Sequence, residues 1–296
     1  MKPPANLAKL RQTIDGIDDR IHDLILKRAA IVESIAEVKK ETGGPVFRPG
    51  REASVLARLL ARHTGPLPPE TLVRIWRELM GGLVKVQAPD FTVALLAAGR
   101  SRIGYDLARD HFGAAIDLEP LPSAKRVIGA VAAGQAALGL LPPAAENEPE
   151  PWWPILMEEA QAGLNIVARL PILAGHEREP SALVVAAASP EPSGDDLFLL
   201  GLETESEISR AALKADLAKA GLVAQPVAVA AGKGHHLALV QGEGALVADD
   251  ERLARLSALY RRRRVLGFFA RPLAPMPSKT TTATKTSQRT DRRGAR

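Results

Sequence analysis

The sequence predicts an all-α N-terminal three-helix domain followed by an α/β domain and a ferredoxin-like (βαββαβ) domain, and three observations carry that expectation. Apolar residues recur at spacings of three and four over residues 6–41. The period changes at Phe91, just after Ala88-Pro89-Asp90. Beyond Pro190-Glu191-Pro192-Ser193-Gly194 the order of elements reads strand, helix, strand, strand, helix, strand. These breaks divide the chain into 1–88, 91–190 and 195–272, with a basic Ser/Thr/Pro tail over 273–296 that composition marks as disordered.

The first helix rests on Leu7, Leu10, Ile14, Ile17, Ile21, Leu24, Ile31 and Ile35, with charges between them. Thr42-Gly43-Gly44-Pro45 ends it, because glycine suits a helix C-terminus and proline cannot continue one. A second helix is expected from about Gly50 to His63 on Val55, Leu56, Leu59 and Leu60. A third is expected from about Pro69 to Val86 on Leu72, Ile75, Leu79 and Leu83, with Gly65-Pro66-Leu67-Pro68 between the two. So long a first helix overhangs its shorter neighbours, and a homodimer that buries both overhangs is the natural solution. Further on, strands are expected over Thr92–Ala98 and Ala137–Leu141, and helices over Gly104–His111 and Ser123–Ala133. Pro142 to Pro154 reads as a loop, and strands resume near Leu164 and Leu183. In the last domain the strands are Leu197–Leu202, Val223–Val229, Leu237–Gln241 and Arg264–Ala270, and the helices Glu205–Ala220 and Asp249–Leu259.

Composition narrows the chemistry. With 296 residues, 46% hydrophobic and 25% charged, the chain has ordinary globular usage. Its net charge of +5 resides in the tail, where six Lys and Arg face a single acid, so no nucleic-acid partner is expected. No cysteine is present, which excludes disulfides, zinc-thiolate sites and thiol catalysis. Neither a leader-like apolar segment nor a run of 18 apolar residues occurs, so a cytoplasmic protein without membrane contact is expected.

The strongest chemical clue is charge on an apolar stripe. At about 100° per residue, Ile17, Ile21, Ile35 and Lys39 fall within about 20° of Arg28 around the first helix. Arg28 and Lys39 therefore point where a core should be. Arg51 and Glu52 open the second helix one turn before Val55 and Leu56, and Gln87 follows Leu83 by four at the end of the third. Arg11 lies about 100° round from Arg28, too far to share its pocket, but placed to serve a partner's. Several cations with one acid and one amide, and no nucleophile or metal set, are built to hold anions. Such a site suits a reaction of a polycarboxylate accelerated by clamping a reactive conformer and stabilising developing negative charge, with no cofactor.

Leu10-Arg11, Ile17-Asp18, Arg28, Lys39, Pro45-Val46 and Arg51-Glu52 resemble the all-helical class of chorismate mutase, in the form fused to prephenate dehydratase. That resemblance covers residues 5–88 and implies rearrangement of chorismate to prephenate in aromatic amino acid biosynthesis. It implies that Arg28 and Arg51, with Arg11 of a second subunit, hold the two substrate carboxylates. Lys39 and Gln87 would donate to the ether oxygen as its bond to carbon breaks, while Glu52 accepts from the ring hydroxyl. Arg48 stands where the family commonly has an acid, so a contact there comes from its backbone, or Arg48 adds a further cation. Leu83 occupies a position where a small or hydroxylated residue is common.

The downstream segment resembles prephenate dehydratase more weakly. Leu141-Pro142-Pro143-Ala144-Ala145-Glu146-Asn147 replaces that family's loop, and Ser181-Ala182-Leu183 falls where it has Thr-Arg-Phe: the hydroxyl survives and the guanidinium does not. Only about 40 residues separate those points, short for the second lobe of a cleft enzyme. Dehydratase activity is therefore not expected. His176 and His235-His236 read as loop residues. Residues 195–270 resemble an ACT domain without its effector motif, which leaves a structural or oligomerising module as the preferred reading. Two alternatives stand for the whole chain: a bifunctional mutase/dehydratase with Ser181 replacing the threonine, or a non-catalytic, aromatic amino-acid-responsive partner of another shikimate-pathway enzyme.

Overall fold

The computed structural model describes residues 6–97, 103–146, 148–174, 180–232 and 234–274. His176, Lys233 and nearly all of the basic tail lie outside the described residues. The chain opens with three helices, α1 (Leu7–Thr42), α2 (Pro49–Ala61) and α3 (Pro69–Gln87). Asn6 caps α1 by accepting from the Ala8 amide, and the Gly43 amide closes its last turn on the Lys39 carbonyl. Both α2 and α3 begin on a proline, whose missing N–H is one that a first turn leaves unpaired anyway.

No residue of the 36-residue α1 is buried, and Leu10, Ile14, Ile17, Ile21, Ile31 and Ile35 are all exposed. The periodic stripe read from the sequence is thus real as a helix and uncovered in a single chain. On α3 the buried face differs from the expected one: Val73, Arg77, Met80, Gly81, Leu83 and Val84 are buried, whereas Ile75 is exposed. The reason is a neighbour further along the chain. The helix α4 (Ile103–Phe112) docks against α3, and the Phe112 carbonyl lies so close to Gly81 that a Cβ would collide with it. Gly50 of α2 meets the backbone of Glu191 in the same way.

Beyond the helices one nine-stranded sheet runs through the rest of the molecule. Its strands are β1 (Thr92–Leu96), β2 (Asp117–Leu121), β3 (Leu138–Leu141), β4 (Asn165–Leu170), β5 (Ala182–Ala186), β6 (Asp196–Thr204), β7 (Ala224–Ala231), β8 (His236–Glu243) and β9 (Tyr260–Ala270), in the order β2-β1-β3-β5-β4-β9-β6-β8-β7. β1 pairs in parallel with β2 and β3, with α4 and α5 (Ala124–Ala132) as crossovers; β5 returns antiparallel to both β3 and β4. The block β9-β6-β8-β7 is wholly antiparallel and, with α7 (Arg210–Lys219) and α8 (Glu251–Ala254), gives the βαββαβ order expected from the sequence. A single parallel pairing, Ile166 with Gly267, joins β4 to β9 and makes the two blocks one sheet.

Four local expectations are corrected. β2 forms where no strand is expected from the sequence; Pro120 is tolerated in it because β2 lies at the sheet edge, where a missing amide leaves no ladder partner unpaired. The helix expected over Asp249–Leu259 is only the single turn α8, capped by Asp250. His236 is a strand residue, paired in register with Thr204 and Ala231, rather than a loop residue. Within the loop expected before Pro154, the short α6 (Trp153–Leu156) begins and buries Trp152 and Trp153 in the core. Arg262 and Arg264 of β9 donate to the carbonyls of Met157 and Glu158 at 2.9 and 2.6 Å, holding that segment on the sheet.

Candidate active site

The helical part brings some of the expected residues together and leaves others apart. Arg28, two-thirds along α1, is half-buried; its Nη1 is shut off from solvent with no hydrogen-bond partner. Burial lowers its pKa, and the nearby Glu52 carboxylate partly offsets this. A guanidinium stays protonated at neutral pH, so Arg28 presents a charge with an unused donor. Glu52, in the first turn of α2, supplies the one carboxylate beside it.

Lys39 lies about three turns further along α1, and its Nζ donates to the Pro45 carbonyl at 2.6 Å. Burial lowers its pKa, Arg48 pushes it further down, and Glu191 opposes both. Arg48 does not stand as a free cation: its Nε donates to Glu191 Oε1 at 2.8 Å. Gln87 turns back on its own helix, its Nε2 donating to the Leu83 carbonyl at 3.2 Å, and Leu83 itself is buried. Arg51 is exposed on α2. Arg11 is exposed near the start of α1, 17 residues before Arg28, and at about 1.5 Å per residue some 25 Å away along the helix. One chain therefore gathers Arg28 with Glu52, and Lys39 with Arg48, while Arg11 and Arg51 lie outside that gathering.

Two residues that the sequence reading missed complete the inner side. Arg77 of α3, 3% exposed in its side chain, donates from Nη1 to Glu52 Oε2 at 2.5 Å and from Nε to the His111 carbonyl at 2.5 Å. The imidazole of His111 is buried, stacks edge-on against Phe112, and leaves Nε2 unpartnered. Burial, and then the charge of Arg77, holds its pKa well below the usual histidine range, so it is neutral at pH 7. A narrow cleft lined by Pro49, Glu52, Ala53, His111, Val167 and Ile172 opens on this side. The signal for Arg77 was present in the sequence: it follows Val73 by four and precedes Met80 by three, a charge on an apolar face like Arg28 and Lys39.

In physical terms this is a half-enclosed set of cations with two carboxylates among them, Glu52 beside Arg28 and Arg77 and Glu191 beside Arg48 and Lys39, and with an unsatisfied buried donor on Arg28. Nothing in it is poised for covalent attack, and among the described residues no group of acids and histidines could hold a metal ion. Comparison with known proteins bears on what such a set does. Residues 10–88 match chorismate mutase type II.

That match covers Arg11, Arg28, Lys39, Arg48, Arg51, Glu52, Arg77 and Gln87. The bifunctional chorismate mutase/prephenate dehydratase of Pseudomonas aeruginosa is 36% identical over 149 residues, 49% of this chain and 40% of that protein. A chorismate mutase of Methanocaldococcus jannaschii is 38% identical over 53 residues, 18% of this chain and 54% of that protein. The 149 matched residues exceed the 88 that precede Pro89, so the likeness to the bifunctional protein reaches past the mutase-type helices. The chain spans about two-fifths of the length of that curated relative. Among solved structures, prephenate dehydratase from Streptococcus mutans aligns with 60% of this chain and 97% of its own at 19% identity and a TM-score of 0.42. Among the described residues no helix is long and apolar enough to cross a membrane.

Proposed function

We propose that the chain is a chorismate mutase, converting chorismate to prephenate in a site built from residues 1–88, with 91–190 and 195–272 as appended domains. The observation that carries the reading is Arg28: a buried guanidinium donor without a partner, beside a single carboxylate, inside the segment that matches the mutase family. A buried charged donor left unsatisfied is costly, and an anionic guest removes that cost. Chorismate brings two carboxylates. Arg28 binds one of them, and Arg51 and the Arg11 of a second subunit bind the other as the exposed stripe of α1 is covered by that subunit. Lys39 and Gln87 then leave their backbone carbonyls to donate to the ether oxygen, on which negative charge builds as the carbon–oxygen bond opens. Glu52 accepts from the ring hydroxyl. Each group acts by position and charge, and no proton needs to change owner.

A second reading keeps dehydratase activity as well, and one observation favours it: the alignment with the bifunctional Pseudomonas aeruginosa relative extends past the helices. Against it, Ser181 stands just before β5 with Ala182 where an arginine is expected, and Ala182 is buried in the sheet. We read the dehydration step as lost. The test of both is incubation of the pure full-length chain with chorismate and no added cofactor. Loss of chorismate absorbance with accumulation of prephenate supports the mutase reading. Phenylpyruvate forming from prephenate faster than in buffer at neutral pH restores the second. A folded protein that consumes no chorismate refutes the first.

A further inference from the structure

Glu52 does not hold its place unaided. Its Oε2 accepts from Arg77, and the two side chains are 13% and 3% exposed, so the pair lies away from water. The same guanidinium donates through Nε to the backbone carbonyl of His111 in the last turn of α4, and its Nη1 also lies 3.8 Å from the sulfur of Met80. A guanidinium is a rigid planar fork, so fixing Nε on one carbonyl fixes the direction in which Nη1 points. That carbonyl belongs to the α/β part of the molecule, and its position relative to α3 is set by the close approach of Phe112 to Gly81. The Glu52 carboxylate also acts electrostatically on Arg28, and the charge of Arg77 on the neutral, buried imidazole of His111. A buried ion pair gives little net stability over apolar packing, but it imposes a direction on both members.

We propose that Arg77 is a positioning residue of the mutase site: braced on the His111 carbonyl, it orients the Glu52 carboxylate toward the substrate hydroxyl, so that the appended α/β domain holds part of the catalytic geometry. The inference rests on the reading of residues 10–88 as a mutase. It makes α4 a support of the site and gives Arg77 an effect on turnover that passes through Glu52 alone.

The test is a cycle in the full-length chain: wild type, Arg77→Met, Glu52→Gln and the double variant, with Arg77→Lys as the conservative replacement, each assayed for kcat and KM on chorismate. The expected result is a 10- to 100-fold fall in kcat for Arg77→Met with KM within threefold. That fall should shrink to less than threefold when Glu52 is already Gln. Arg77→Lys should keep more of kcat than Arg77→Met, because it retains the charge but cannot reach carbonyl and carboxylate in one plane. A wild-type kcat for Arg77→Met, or an equal fall with and without Glu52, overturns the proposal; so does a change confined to the melting temperature. Should Arg77→Met fail to fold, Arg77→Lys in the same cycle decides by the same criterion of coupling to Glu52. An inactive wild type refutes the mutase reading and this proposal with it, whereas an active wild type with uncoupled variants refutes this proposal alone.

Discussion

Arg48, in the turn before α2, and Glu191, in the loop between β5 and β6, meet at 2.8 Å although they are 143 positions apart in the chain. The pair ties the helical part to the sheet and sets charges around Lys39, whose pKa is lowered by burial and then by Arg48, and raised by Glu191. Glu191→Gln removes the only opposing influence, so the Lys39 ammonium loses its proton at lower pH. The alkaline limb of kcat should therefore move to lower pH, which a rate profile between pH 7 and 10 measures. Stability should fall by no more than about 1 kcal/mol, since the pair is partly exposed and screened.

Arg28→Ala in one chain and Arg11→Ala in another test whether sites are shared. Each homogeneous variant should be strongly impaired. Mixed under conditions that exchange subunits, the two should regain part of the activity, because one of the two sites in a heterodimer is then intact. Proven exchange without recovery would contradict the use of the partner's Arg11.

His111 predicts a pH dependence of stability. Its pKa in the folded protein lies well below the value of 6.5 expected in the unfolded chain, so below about pH 6.5 the unfolded state binds a proton that the folded state refuses. Stability should decline as pH falls through that window, by up to about 1.4 kcal/mol per pH unit from this group. Urea unfolding at pH 7.5, 6.5 and 5.5 should show the decline, and His111→Asn should flatten it.

Adjacent glycines in α3 should respond in opposite directions. Gly82 has open space where a Cβ would sit, and alanine there should stabilise the helix by up to about 1 kcal/mol. Gly81 faces the Phe112 carbonyl, and Gly81→Ala should cost about 1–3 kcal/mol through the clash between α3 and α4. Urea midpoints of the two variants check the sign. A stabilising Gly81→Ala would mean that α4 does not dock there.

Much of this arrangement could be read from local pattern. The three helices, the change of period at Phe91 and the βαββαβ order were legible because each depends on periodicity and turn residues within one segment. Arg28 and Lys39 stood out for the same reason, as charges on a repeating apolar face. What escaped depends on contacts between distant segments. The buried face of α3 is chosen by α4, so Ile75 was assigned inward and Arg77 overlooked. The fate of Arg48 is decided by Glu191, and that of β2 by its place at the sheet edge. Nothing in the local pattern marks Arg262 and Arg264 as the residues that clamp the segment after α6 through its carbonyls.

Half-buried Arg28, with its Nη1 shut off from solvent and unpartnered, is the cation that awaits an anionic guest. Its most direct test is kcat/KM for chorismate in full-length wild type and Arg28→Ala of equal helical content. Loss of one such charged contact in the transition state is worth about 3–4 kcal/mol. The expected ratio is therefore at least 100-fold in favour of wild type; rates within twofold of each other would contradict the account.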